Sequence, residues 1–387
     1  MQDIFITKIQ INKVRHLEDI EIGLSESQKR HLILTGKNGS GKTSLIERLS
    51  EAFSISESSL QWEFGNDGKH IRTMQQYIDN IGLKVYCNAP CSNSTELYSK
   101  MYEEGLIHAL SANRKLTLQL PKSIEAIDVD KDVLYSDIFL KYLLYLNYQR
   151  INAITNNDED EANNVQQWFD MFLQALREIY DCSELELIHN SKDLSFKIFM
   201  PDREPFGLNE MADGYSSFLY IVIELIMKME KTASMTYDMP GIVLIDEIET
   251  HLHVELQKRI LPFLINMFPR IQFIVTTHSP FVITSVSNAV VYDLEKKIAI
   301  EDMSAYSYEA VIEHYYDVNM YSREADKQFE IYNSLVKKDN LSPDEMESLV
   351  NAMTYLKQIP AGAAEELVYS FREMEAQRRL PMNDQNK

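Results

Sequence analysis

Apolar residues in the first part of this chain follow two rhythms. Ile4, Ile6, Ile9 and Ile11 alternate with one slip, and Ile20, Ile22 and Leu24 alternate cleanly, predicting two half-buried strands. His31-Leu32-Ile33-Leu34-Thr35 is apolar without a break between its ends, the pattern of a strand covered on both faces. Helical spacing takes over in Ser44-Leu45-Ile46-Glu47-Arg48-Leu49. Beyond it, Gly65-Asn66-Asp67-Gly68-Lys69 reads as a polar loop tip, and Gly82–Cys87 and Leu106–Leu110 as further strands.

Residues 131–181 predict helices. Leu134, Ile138, Tyr142, Tyr145 and Leu146 form one stripe, and Trp168, Phe172, Leu176 and Ile179 another. Both read as core packing. The acidic run Asn156-Asn157-Asp158-Glu159-Asp160-Glu161 reads as the exposed hinge of an antiparallel pair. A strand pair follows, Leu185–Ile188 and Leu194–Phe199, turning at Asn190–Asp193. From residue 215 strands and helices alternate: helix Phe218–Met229, strand Gly241–Ile245, helix Val254–Phe268, then strands Phe273–Thr276 and Val290–Tyr292. That order predicts a parallel sheet with crossover helices. Residues 305–380 read as helices only, with Pro343 in a first turn after Ser342.

Between the buried strand and the first helix lies Gly36-Lys37-Asn38-Gly39-Ser40-Gly41-Lys42-Thr43, the G-x-x-x-x-G-K-[ST] phosphate-binding loop. A strand, a glycine turn and a helix N-terminus aim backbone N–H groups and the positive helix end at one point, which suits a polyphosphate. Lys42 is placed for the β- and γ-phosphates of ATP, and the Thr43 hydroxyl for Mg²⁺. Ser44 completes the set at the first turn of the helix.

A second buried strand, Ile242-Val243-Leu244-Ile245, runs into Asp246-Glu247. Charge can enter such a strand only at its C-terminal edge, where ligands bind. Asp246 then reaches the Mg²⁺ sphere, and Glu247 can orient or deprotonate the attacking water. A third strand ends in Thr276-Thr277-His278-Ser279-Pro280. There His278 either hydrogen-bonds the γ-phosphate or the water, or is a satisfied structural histidine. His251-x-His253 lacks a third ligand for a metal.

Composition narrows the partners. Of the 387 residues 45% are apolar and 25% charged, with 38 Lys and Arg against 59 Asp and Glu, a formal charge of −21. That balance opposes a nucleic-acid grip, which runs on Lys and Arg neutralising phosphates. Cys87, Cys91 and Cys182 read as free thiols. The N-terminal residues lack a signal pattern and no apolar run is long enough to span a bilayer, so a cytoplasmic protein away from membranes is expected.

These motifs together resemble the ABC-type ATPases of the SMC–Rad50–RecF branch. Carrying the resemblance are the P-loop, Asp246-Glu247 with Glu249-Thr250-His251-Leu252-His253, and Thr276–Pro280. The opening Ile9-x-Ile11-Asn12-Lys13-Val14-Arg15-His16-Leu17 is similar to that family's first strand and turn, which implies that Arg15 touches the nucleotide phosphates. The resemblance also implies a signature motif that serves the ATP held by a second protomer. Met211-Ala212-Asp213-Gly214-Tyr215-Ser216-Ser217 stands in its place, with Asp213 and Gly214 as the residues reaching across. Ala212 replaces the usual Ser, removing one hydroxyl donor to the γ-phosphate.

The implied fold is α/β, a P-loop NTPase of ABC type with a mixed sheet. Residues 1–58 and 185–300 would form the head, 59–184 an inserted, largely helical region, and 301–387 a helical region for oligomer or partner contacts. The compact size and the Asp213-Gly214-Tyr215 signature look like the ATPase subunits of bacterial anti-phage systems, such as the Septu, PARIS and retron-associated types. The resemblance implies a homodimer or higher oligomer through the heads, gating a separately encoded effector, a nuclease among the candidates. The alternatives are a RecF- or Rad50-like repair ATPase that binds DNA, and a nucleotide-gated scaffold that barely hydrolyses.

Overall fold

The strands that read as buried assemble side by side. A computed structural model describes residues 3–60, 82–88, 105–124, 135–232, 238–315, 321–338, 340–360 and 364–379. Within it the chain divides into two units, Met1–Tyr308 and Glu309–Lys387.

The first unit is built on a six-stranded sheet. Its strands are β3 (His31–Thr35), β5 (Leu106–Leu110), β9 (Gly241–Ile245), β10 (Ile271–Thr276), β11 (Ala289–Asp293) and β12 (Ile298–Ile300). They lie in the order β12-β11-β3-β10-β9-β5, parallel throughout except for the antiparallel edge strand β12. Every residue of β3, β9, β10 and β11 is buried, which explains their predominantly apolar sequences. A second sheet, β2-β1-β4, is antiparallel and joins β1 (Ile6–Val14), β2 (Leu17–Gly23) and β4 (Leu83–Cys87).

Helix α1 (Lys42–Leu60) lies between these two sheets. Leu45, Ile46, Leu49, Ala52 and Phe53 pack in one cluster with Ile9, Ile11 and Ile22 of the antiparallel sheet and with Leu34, Leu244 and Ile274 of the parallel one. The buried Gln272 side chain ties the layers, accepting from the Ile6 amide at 2.7 Å and donating to the Ile6 carbonyl at 2.9 Å and the Arg30 carbonyl at 2.7 Å.

The two helical stripes form α2 (Tyr135–Thr155) and α3 (Glu159–Tyr180). Trp168 lies at their centre, edge-on to Tyr142 and stacked on Phe172. The hinge is narrower than the acidic run suggests, because the Asp158 side chain accepts from the Glu161 amide as an N-cap. Glu159, Asp160 and Glu161 are therefore the first turn of α3, where the helix dipole favours acid.

The expected hairpin is β6 (Glu186–Asn190) with β7 (Ser195–Met200), and a third strand, β8 (Arg203–Gly207), extends it. On the chain follow α4 (Asp213–Thr232), α5 (Val254–Met267) and the single turn α6 (Pro280–Ile283). Two strands within the stretch expected as an insertion belong to the sheets: β4 pairs with β1, and β5 with β9. Gly65–Lys69, Cys91 and Leu134 lie outside the described residues.

The second unit is helical in its described residues. A short turn around Tyr308–Tyr315 precedes α7 (Arg323–Val336), α8 (Pro343–Gln358) and α9 (Glu365–Arg379). Pro343 is at the first turn, and Ser342 and Glu345 form a reciprocal capping box. Tyr332, Leu349, Leu356 and Phe371 form this unit's core. Among the described residues no helix is long and apolar enough to cross a membrane.

Candidate functional site

The C-terminal edge of the parallel sheet gathers most of the expected residues. After β3 the chain turns through Gly36, Gly39 and Gly41 at φ 130°, 86° and 98°, values that a residue with a Cβ rarely adopts. A Cβ on Gly36 would lie 2.8 Å from Ser40 Oγ, which is buried without a hydrogen-bond partner. One on Gly41 would lie 2.9 Å from Leu17 Cδ1 and 3.3 Å from His16 Cε1, so the β1–β2 turn packs against the loop. Lys37, Asn38 and Gly39 are exposed at the loop tip, while Ser44 is buried in α1.

Lys42 is 6% exposed, and its ammonium donates to the Gly36 carbonyl at 2.8 Å and the Lys37 carbonyl at 3.2 Å. Burial lowers its pKa, and Glu247, Asp246, Glu249 and Asp293 act in the opposite direction. Lys37 turns outward to Glu295, 3.0 Å from Nζ to Oε1.

Asp246 follows β9 and is buried. Its Oδ1 accepts from Thr276 Oγ1 at 2.6 Å and from Thr43 Oγ1 at 3.4 Å. The P-loop hydroxyl and the Asp246 carboxylate therefore face one another. Both are hard oxygen donors, the chemistry Mg²⁺ takes from a protein while phosphates and water fill its remaining positions. The residues present fit that ion.

Glu247 sits in the left-handed region at φ 45°. Its amide donates to Thr276 Oγ1 at 2.7 Å, and its Oε2 accepts from Thr250 Oγ1 at 3.3 Å. The His278 amide donates to Glu249 Oε1 at 2.6 Å, which brings the end of the third strand beside the acidic turn. Burial and the Lys42 charge hold the His278 imidazole below its ordinary pKa, against the pull of Glu249, Glu247 and Asp246.

Two expected contributors stand apart. Arg15 follows β1 at φ 54°, is exposed, and its Nη2 lies 3.4 Å from Glu47 Oε2 of α1. Gly214 is in the first turn of α4, where its nearest neighbours are His251, His253 and Leu256 of its own chain. A Cβ there would lie 3.2 Å from the His251 carbonyl. Next to it Tyr215 stacks on Tyr180, with centroids 4.2 Å apart and planes 8° from parallel. Asp213 is exposed.

Sequence reasoning did not single out Arg114. It follows β5, is 4% exposed, and donates to the Asp246 carbonyl at 2.8 Å and the Glu247 carbonyl at 2.7 Å. Nothing in its spacing marks it. The available signal was its place just beyond a strand, at the edge where ligands bind.

Residues 113–284 match a family model described as "AAA domain, putative AbiEii toxin, Type IV TA system". The chain is 24% identical to the Septu protein PtuA of Bacillus mycoides (strain KBAB4) over 289 residues, 71% of this chain and 38% of that protein. It is 58% identical to the Retron Vc95 probable ATPase of Vibrio cholerae serotype O1 biovar El Tor over 48 residues, 12% of this chain and 9% of that one. The matches thus span less than half the length of either relative. Among solved structures, an Smc head bound to the C-winged helix domain of ScpA aligns at a TM-score of 0.43 and 12% identity, covering 76% of this chain and 96% of that one. The motifs meet at the edge of one α/β sheet as a P-loop nucleotide site, and the sequence is similar to Septu and retron ATPases.

Proposed function

We propose that this chain binds ATP with Mg²⁺, hydrolyses it to ADP and phosphate, and dimerises head to head around two nucleotides to gate a separately encoded effector in anti-phage defence. The observation that carries the reading is the meeting of Lys42, Thr43, Asp246, Glu247 and His278 at one sheet edge.

In this reading the loop amides and the start of α1 hold the phosphate chain. Lys42 exchanges its contacts with Gly36 and Lys37 for phosphate oxygens. Thr43 Oγ1 and the Asp246 carboxylate would hold Mg²⁺, which when bound neutralises charge on the β- and γ-phosphates. The Glu247 carboxylate takes a proton from the attacking water as its oxygen bonds the γ-phosphorus and the bond to the β–γ bridging oxygen breaks. His278 gives its N–H to the γ-phosphate. The N-terminal end of α4, where Ala212 and Asp213 are exposed, serves a partner's nucleotide, so ATP acts as glue by mass action and its hydrolysis loosens the pair. The sequence similarity to a Septu protein and a retron ATPase supports the defence setting.

Calorimetry with ATP and Mg²⁺ tests the site. Wild-type chain is expected to bind, and Lys42→Ala to lose about a hundredfold or more in affinity with the charge-assisted phosphate contacts. Equal affinity in the two proteins sinks the assignment.

A further inference from the structure

We propose that Arg114 is a positioning residue that sets the aim of the Glu247 carboxylate by clamping the backbone of the Asp246–Glu247 turn from behind. The inference rests on the hydrolysis reading above and adds to it a residue that meets no nucleotide.

The turn needs a clamp. A Glu at φ 45° occupies a region that strains a residue with a Cβ unless its surroundings hold it there. The amide of Glu247 is held by Thr276 Oγ1. Its carbonyl is held by Arg114 Nη2 at 2.7 Å and by the Thr250 amide at 2.9 Å. The second guanidinium arm reaches the Asp246 carbonyl at 2.8 Å and the Ser111 carbonyl at 3.0 Å. One rigid fork thus spans two successive carbonyls of the turn that carries both acids, and ties them to the end of β5. A lysine ammonium carries the same charge but no planar fork with which to fix them.

The charge balance points the same way. Asp246, Glu247, Glu249 and Asp293 act on Lys42 electrostatically, and Arg114 adds a second cation at the carbonyls of the same turn. Burial lowers its pKa, while Glu249, Asp246, Tyr220 and Glu247 raise it. The guanidinium remains charged, as the pKa of Arg lies far above neutrality. Its hydrogen bonds go to carbonyls, so it occupies no oxygen of either carboxylate.

The experiment uses the full chain as wild type, Arg114→Lys, Glu247→Gln and the double variant. It reads ATP affinity with a fluorescent ATP analogue and hydrolysis by single turnover. Arg114→Lys is expected to bind ATP within about threefold of wild type but to hydrolyse it about a hundredfold more slowly, the cost of a displacement near 1 Å in a reacting group. Glu247→Gln alone removes the base and about 10³ in rate. If Arg114 acts through Glu247, the double variant is no more than about threefold slower than Glu247→Gln, since residues acting as a unit are not additive.

Wild-type turnover in Arg114→Lys overturns the proposal, as do multiplicative losses in the double variant. Loss of ATP binding in step with hydrolysis overturns it too, because that marks collapse of the site rather than misaim. If circular dichroism shows Arg114→Lys unfolded, Arg114→Gln replaces it under the same criteria. A wild-type chain that binds ATP without turning it over removes the hydrolysis reading and this inference together. Turnover in the wild type with an indifferent Arg114→Lys removes this inference alone.

Discussion

At the P-loop edge the functional atoms are held from more than one direction, whereas the first turn of α4 is held from one. Asp246 Oδ1 receives two hydroxyls, Lys42 Nζ meets two carbonyls, and the Glu247 backbone is gripped by Thr276, Thr250 and Arg114. At α4 the inward side of Gly214 packs on His251–Leu256 and Tyr215 stacks on Tyr180, while Ala212 and Asp213 stay exposed. The first region has its chemistry assembled within one chain. The second presents a helix N-terminus with Ala212 and Asp213 exposed, the place that the proposed function assigns to a partner's nucleotide.

The largest effect that separates the two regions comes from Glu247→Gln. It should slow turnover about 10³-fold while ATP affinity stays within about threefold, because the base goes and the cradle remains. The same variant asks whether α4 is completed in trans. In a chain with Cys87, Cys91 and Cys182 replaced by Ser, Asn38→Cys and Ala212→Cys put thiols at two exposed positions. A disulfide between protomers is expected with ATP and Mg²⁺. One that forms equally without nucleotide breaks the contrast between a complete and an incomplete site. Gly214→Arg is a poorer probe than its sequence position suggests, since its Cβ is directed at the chain's own His251 carbonyl.

A smaller effect tests how tightly the P-loop strand is built in. Burial, with some help from Lys29, holds His31 at a pKa of about 3 against an ordinary 6.5, and its Nδ1 accepts from the Phe273 amide. The unfolded chain takes up a proton below 6.5 and the folded one does not until near 3. The stability is thus complete above the unfolded value and falls with pH through that window. Between pH 7 and pH 5 this group alone costs about 2 kcal/mol. His31→Asn keeps an acceptor for Phe273 and should flatten the fall by that amount in urea titrations. Identical pH dependence in both proteins refutes the burial argument.

The smallest effect is expected at the open region. Ala212→Ser restores a hydroxyl beside the signature and should raise turnover about threefold, the worth of a modest hydrogen bond to phosphate. No change would mean that the first turn of α4 does not approach a γ-phosphate.

What the sequence disclosed follows the same division. The P-loop spacing is covalent, so the strand, the glycines and the start of α1 could be read directly, and buried parallel strands announce themselves as unbroken apolar runs. Two edge strands, β8 and β12, did not. β8 is Arg203-Glu204-Pro205-Phe206-Gly207 and β12 only Ile298-Ala299-Ile300, one polar and one too short to show alternation. Arg114 was invisible for a different reason: a single buried cation has no spacing partner, and its three carbonyl acceptors are backbone atoms common to every sequence. The left-handed backbone at Glu247 was hidden too, since nothing in Asp-Glu-Ile-Glu distinguishes it from an ordinary turn. The acidic run 156–161 misled in the opposite sense, because the same residues that mark a loop also cap and open a helix.

The position of α1 between two sheets has a mechanical consequence. Leu45, Leu49 and Phe53 share one cluster with residues of both layers, so sliding or rotating this helix would open two interfaces at once. A phosphate seated at its N-terminus therefore pushes against an immobile post. Any displacement driven by a nucleotide then falls to elements other than α1. In the proposed cycle the helix on the phosphate loop is thus the frame rather than a moving part.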